Sequence, residues 1–118
     1  GGSTVRLPVQ IPFAKAMELL LTGDLISAAE AQSIGFLNYV VPADQVLTKA
    51  MEIAEKIAAN GPLAVKAIRK SVRACLGKPE QEALRIESEL SGPVFQTEDA
   101  REGPSAFMEK RKPQYQGR

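Results

Sequence analysis

The stretch Thr97-Glu98-Asp99-Ala100-Arg101-Glu102-Gly103-Pro104-Ser105-Ala106-Phe107-Met108-Glu109-Lys110-Arg111-Lys112-Pro113 decides how this chain is read. Thr97 opens a helix, and Glu98 and Asp99 in its first turn suit the positive end of the helix dipole. Lys110, Arg111 and Lys112 suit the opposite end. Gly103-Pro104 predicts a break between them, because a proline inside a helix costs about 3 kcal/mol or more; Pro104 then restarts the helix. Phe107 and Lys110 stand three residues apart, on one helix face. A flat ring beside a flexible cation suits a nucleotide-like group, the ring meeting a base and the lysine a phosphate. The plainer alternative makes Phe107 a last core anchor and the cations a dipole-compensating end. Taken alone, these residues favour that alternative.

Upstream of this stretch the pattern is helical almost throughout. Ala14 to Leu21 is a run of strong helix formers stopped at Thr22-Gly23-Asp24. Ser27-Ala28-Ala29-Glu30 is a capping box: the serine hydroxyl accepts the Glu30 N–H and the Glu30 carboxylate reaches back to Ser27 N–H. That helix ends at Gly35, a left-handed stop. Phe36-Leu37-Asn38-Tyr39-Val40-Val41 is β-branched and aromatic and reads as a strand closed by Pro42. Asp44 caps a helix with Leu47, Ala50, Met51, Ala54, Ile57 and Ala58 on one face. Gly61-Pro62 ends it and starts another, which buries Val65, Ile68, Val72, Cys75 and Leu76. A further helix from Pro79 to about Val94 buries Ala83, Ile86, Leu90 and Val94. The expected fold class is therefore mainly α, with five to six helices and one short strand.

A lone strand has nowhere to pair, and the chain opens Gly1-Gly2-Ser3-Thr4-Val5-Arg6-Leu7-Pro8 without an initiator methionine. Both features lead to the expectation that this is the C-terminal part of a larger protein with a sheet upstream. The composition, 44 % apolar and 25 % charged over 118 residues, is that of an ordinary globular protein. No apolar run nears the ~20 residues of a membrane span, and a net charge of +1 gives nucleic acid little to attract. A cytoplasmic location, without membrane or nucleic-acid partners, is the expectation.

Chemistry is sparse. With no histidine and one cysteine, an internal disulfide and His-based catalysis are excluded. Cys75 falls on an apolar stripe and reads as core filler. Lys66, Arg69, Lys70 and Arg73 form a basic stripe that can hold phosphates. It lacks interleaved aromatics for base stacking, so a solvated face, paired with the acidic segment Glu80 to Glu102, is the preferred reading. Glu80, Glu82, Glu87 and Glu89 show no spacing that converges two carboxylates for acid–base work, and no metal-ligand spacing occurs. Gly1-Gly2 can bring backbone close to a ligand or leave helix N–H groups open to an anion. It can equally be a tight turn.

Four stretches in order resemble the C-terminal portion of the enoyl-CoA hydratase/isomerase (crotonase) superfamily. They are Gly1-Gly2-Ser3-Thr4-Val5-Arg6-Leu7-Pro8; Leu21-Thr22-Gly23-Asp24 with Ala28, Glu30, Ala31 and Gly35; Ala59-Asn60-Gly61-Pro62-Leu63-Ala64; and Thr97-Glu98-Asp99 with Glu102, Gly103, Ala106, Phe107, Glu109, Lys110 and Arg111. The resemblance implies an α/β crotonase-like spiral fold of which this is the end. Residues 1–42 would finish the spiral core, and residues 43–118 would form a helical region for oligomerisation and CoA contact.

It further implies acyl-CoA thioester substrates, trimers or hexamers, and an enolate stabilised by two backbone N–H groups. Coenzyme A would be part of the substrate, with no separate cofactor. The oxyanion hole and the two glutamates of a hydratase would lie before Gly1, leaving no catalytic residue in this chain. Phe107 and Lys110 would meet the adenine and phosphate end of CoA, and Gly1 and Gly2 would end the glycine-rich active-site loop. Ser91 departs from the family, which often has an aromatic there. Hydration of a trans-2-enoyl-CoA is the leading expectation, with isomerisation or another crotonase chemistry as the rival. For the chain alone, a non-catalytic helical oligomerisation module is the alternative.

Overall fold

Seven α-helices and two 3-10 turns make up the computed structural model, which describes residues 1–118. The chain divides into two units, Gly1–Lys49 and Ala50–Arg118. The first holds α1 (Ser3–Gln10), α2 (Phe13–Thr22), α3 (Ala28–Ser33) and a 3-10 turn over Ala43–Gln45. α4 (Val46–Ala58) spans the division, and the second unit continues with α5 (Pro62–Cys75), α6 (Glu80–Ser91), a 3-10 turn over Gly92–Gln96 and α7 (Glu98–Met108). The architecture is mainly α.

Local signals placed most helix ends. Ser27 Oγ accepts the Glu30 N–H at 3.1 Å, whereas the Glu30 carboxylate turns to Lys15 Nζ, 2.8 Å away. α3 closes in a Schellman motif: Gly35 at φ 79° donates to Gln32 O at 3.0 Å and Phe36 N–H donates to Ala31 O at 2.9 Å. Pro62 is the first residue of α5. Gly61 is not a left-handed stop, since its φ is −56°. Asn60 Nδ2 ends α4 instead by donating to Lys56 O at 2.8 Å.

Three expectations need correction. Phe36–Val41 is not a strand: the N–H groups of Phe36 and Leu37 both turn back to Ala31 O, and the following residues have no strand to pair with. Asp44 lies inside the 3-10 turn that leads into α4 rather than capping it. Pro104 does not break the last helix, which runs unbroken from Glu98 to Met108.

α5 and α6 pack along their length, with Val65, Ala83, Ile86, Leu90 and Val94 half-buried. Cys75 sits at this seam, its thiol donating to Ala83 O at 3.3 Å. The apolar stripes are otherwise largely uncovered. Ile68 and Val72 on α5, Leu76 just after it, and Leu47, Met51 and Ile57 on α4, are all at least half exposed. Only Ile11, Ala16, Ala31 and Ala106 are buried apolar residues. The accessible surface is 9388 Å², against about 6,200 Å² for a self-contained protein of this mass. No helix is long and apolar enough to cross a membrane.

Candidate functional site

Chemically distinctive geometry gathers at the end of α7. Thr97 Oγ1 caps the helix by accepting Ala100 N–H at 3.1 Å. At the other end Lys110 N–H donates to Phe107 O at 3.2 Å and Arg111 N–H donates to Ala106 O at 3.0 Å. These are the two bonds of a Schellman motif, with Lys110 in the position Gly35 holds after α3. Lys110 has φ 54° and is the one non-glycine residue with positive φ. A side chain there costs about 1–2 kcal/mol.

Lys110 thus lies beyond the helix rather than on its face, and α7 has no basic residue in its last turn. The Lys110 N–H stays bonded to the Phe107 carbonyl. Phe107 is 85 % exposed and Lys110 is exposed. The backbone therefore links the two residues by a turn instead of by helical spacing.

Arg111 points back along the helix. Its Nη1 and Nη2 both donate to Glu102, the second at 2.9 Å to Oε2, and its Nε donates to Glu109 Oε2 at 2.6 Å. This guanidinium, with the Gln114 N–H that donates to Glu102 Oε1 at 2.7 Å, pulls the Glu102 carboxyl down to a pKa of about 2. Arg111 in turn is held above its ordinary value, chiefly by Glu102. The pair ties residues on either side of Pro104, which is accommodated within α7 as Pro8 is within α1.

The tail then folds back on α7. Gln116 N–H donates to Asp99 Oδ1 at 2.6 Å and Gly117 N–H to Asp99 Oδ2 at 2.8 Å. Asp99 N–H donates to Arg118 O at 3.1 Å, so this buried carboxylate residue is clasped from both sides. Tyr115 lies over Gly61 and Gly103: a Cβ on Gly103 would stand 3.2 Å from its hydroxyl, and one on Gly61 3.6 Å from its ring. Sequence reading assigned Asp99 to the helix dipole and missed the clasp. Its signal was the small residues Gly103 and Ala106 on the same face as Asp99 and Glu102, which let another segment approach closely.

The remaining candidates stand elsewhere. Gly2, at φ 101°, precedes α1 and its carbonyl accepts from Val5 and Arg6 N–H at 3.2 and 2.9 Å; Gly1 is exposed. Lys66, Arg69, Lys70 and Arg73 are exposed. The expected pairing with the acidic segment does not form, because α6 carboxylates take nearer cations, Lys78 with Glu82 and Arg85 with Glu89. In the second unit a cavity of about 580 Å³ opens among Leu63, Ala67, Val72, Ser91, Val94 and Tyr115. Its walls are mostly apolar; Glu87 and Asp99 also line it, and the Asp99 carboxylate already holds two N–H groups.

Comparison with known proteins agrees with this arrangement. The profile of the family described as enoyl-CoA hydratase/isomerase matches residues 1–118. Enoyl-CoA hydratase EchA19 of Mycobacterium tuberculosis is 53 % identical over 118 residues, which is 100 % of this chain and 44 % of that protein. Carnitinyl-CoA dehydratase of Proteus mirabilis is 38 % identical over 121 residues, covering 99 % of this chain and 46 % of the relative. The crystal structure of enoyl-CoA hydratase from Bacillus anthracis superposes with a TM-score of 0.95 at 42 % identity, over 99 % of this chain and 45 % of that one. The chain spans a little under half the length of these relatives. With a profile match along its whole length and the same helices in a solved structure, the chain belongs to the enoyl-CoA hydratase/isomerase family.

Proposed function

We propose that this chain is the C-terminal portion of an enoyl-CoA hydratase-type lyase that adds water to a trans-2-enoyl-CoA thioester. Upstream segments would supply the oxyanion N–H groups and the two glutamates that handle water and proton. This chain's part is to hold the substrate's far end. Phe107 would lie against the adenine and Lys110 against a phosphate, while Gly1 and Gly2 would finish the loop beside the thioester. Binding energy gathered at a remote nucleotide can then serve the reacting end. The assembly would be a homotrimer or a hexamer.

The observation that carries this reading is an exposed ring and an exposed ammonium three residues apart in sequence, joined by a turn strained to keep a lysine where glycine would be relaxed. Strain of that kind persists where a side chain is needed. Replacing Lys110 with alanine in the full-length enzyme should weaken enoyl-CoA binding by about 1.5–3 kcal/mol, the scale of a charge-assisted bond. Pantetheine thioesters, which lack the nucleotide, should be little affected. Equal losses for both ligands would refute the assignment.

A second reading keeps the nucleotide site and changes the chemistry. The likeness to a carnitinyl-CoA dehydratase favours dehydration or double-bond isomerisation as the rival. Two glutamates at the hydratase positions before Gly1 would support hydration, and their absence the rival. For the chain alone, the uncovered apolar face of α4 favours an oligomerisation module.

A further inference from the structure

The lysine proposed to meet the substrate phosphate has acid at its turn, and an ammonium next to free carboxylates is a poor anion site. Glu109 precedes it directly, and Glu102, more than two helical turns back, is tied to the turn by Arg111. Neither carboxylate is free, because Arg111 binds both, Glu102 through Nη1 and Nη2 and Glu109 through Nε at 2.6 Å. Lys110 makes no ion pair within 4 Å, whereas Lys15, Lys78 and Arg85 each do.

The same guanidinium fixes the backbone. Arg111 is held at two points, its N–H on Ala106 O and its side chain on Glu102, so the residue before it is locked in the left-handed region. The tail strengthens this hold, since Gln114 N–H donates to the same Glu102 and Gln116 and Gly117 to Asp99 one turn earlier. A planar, bidentate guanidinium suits this task in a way an ammonium does not.

We infer that Arg111 and Glu102 are positioning residues for the nucleotide end of the substrate: their pair sequesters the neighbouring carboxylates and fixes the turn, leaving Lys110 as an un-neutralised cation aimed at a phosphate. This inference rests on the proposed CoA contact of Lys110, and the test separates the two.

The experiment uses the full-length enzyme with an enoyl-CoA and the matching enoyl-pantetheine. Glu102→Gln keeps the shape and removes the charge; Arg111→Lys keeps the charge and removes the bidentate fork. Each is expected to raise KM for the CoA ester about tenfold, as loss of one well-placed charge-assisted bond would, with kcat and the pantetheine KM within about twofold. In a Lys110→Ala background neither variant should cost more CoA affinity, because the cation they serve is gone. If Lys110→Ala discriminates between the ligands and neither variant does, the positioning role is overturned and the Lys110 contact stands. If Lys110→Ala does not discriminate, the contact itself falls, and the positioning role with it. If both variants lose both ligands together, by unfolding or otherwise, the pair serves the fold and the positioning role is overturned.

Discussion

Arg111 reaches back nine residues to take both carboxylate oxygens of Glu102, and the chain between them includes Pro104. One ion pair thereby ties the end of α7 to its middle and starts the fold-back of the tail. Exposed pairs usually contribute little, but this one has bidentate geometry and shares Glu102 with the Gln114 N–H.

Acid should release the tail. The Glu102 carboxyl is lowered from 4.5 to about 2, first by the Arg111 side chain and then by the Gln114 N–H. A carboxyl with a depressed folded-state pKa contributes stability that is complete above its unfolded value and lost as pH falls through the folded one. The contribution from Glu102 is therefore whole above about pH 4.5 and disappears between there and about pH 2. Amide hydrogen exchange at Gln114 and Gln116 should accelerate over that window, after correction for the intrinsic rate. In Glu102→Gln the Gln114 amide should already be fast at pH 6; an unchanged profile would show that the pair does not hold the tail.

Lys110→Gly should separate stability from binding. The left-handed conformation costs a side chain about 1–2 kcal/mol, and the extra freedom of an unfolded glycine returns about 0.5–1 of that. The variant should gain roughly 0.5–1 kcal/mol in denaturant unfolding while losing affinity for CoA esters. A variant that is both less stable and unchanged in binding would mean that Lys110 serves the fold.

Gly103 offers a sign test. A glycine inside a helix costs about 1 kcal/mol relative to alanine, so Gly103→Ala should stabilise α7 if nothing opposed it. Tyr115 opposes it, with its hydroxyl 3.2 Å from where the new Cβ would stand. The ring has little room to move because Gln114, Gln116 and Gly117 are tied on either side of it. Gly103→Ala alone should therefore destabilise. In a Tyr115→Phe background the nearest ring carbon lies 3.9 Å from that Cβ, and the same substitution should stabilise by about 1 kcal/mol. The same sign in both backgrounds would refute the packing argument.

What could be read in advance was local. Ser27, Gly35, Pro62 and Thr97 mark helix ends through bonds within four or five residues, and each end formed where the residues place it. Phe36 to Val41 has strand composition, but a strand is completed by a partner this chain does not contain. The hold on Glu102 comes from an arginine nine residues on, and the burial of Asp99 from a tail eighteen residues on; neither reach is written in a propensity. Periodicity identified the apolar faces of α4 and α5 but not what covers them. At the candidate site the three-residue spacing of Phe107 and Lys110 was legible, whereas the turn that joins them and the guanidinium bound beside it were not.

The uncovered faces lead to the last prediction. Leu47, Met51 and Ile57 on α4, Ile68 and Val72 on α5 and Leu76 just after it are each half exposed or more, at about 25 cal/mol for every Å² of apolar surface left in water. Contiguous apolar faces of this kind mark contact surfaces or aggregation. Chemistry is equally incomplete: the chain has no histidine, Cys75 is half-buried at a helix seam, and the Asp99 and Glu102 carboxylates are occupied by the tail. The isolated 118-residue chain is therefore expected to bind a hydrophobic dye, to self-associate, and to leave crotonyl-CoA unhydrated. On the proposed reading, adding the segments that precede this chain in a full-length enzyme should quench the dye signal and restore turnover together. Turnover by the isolated chain that vanished on mutating one of its own residues would overturn the assignment of catalysis to upstream segments. A monodisperse chain that ignored the dye would show instead that these faces are satisfied without a partner.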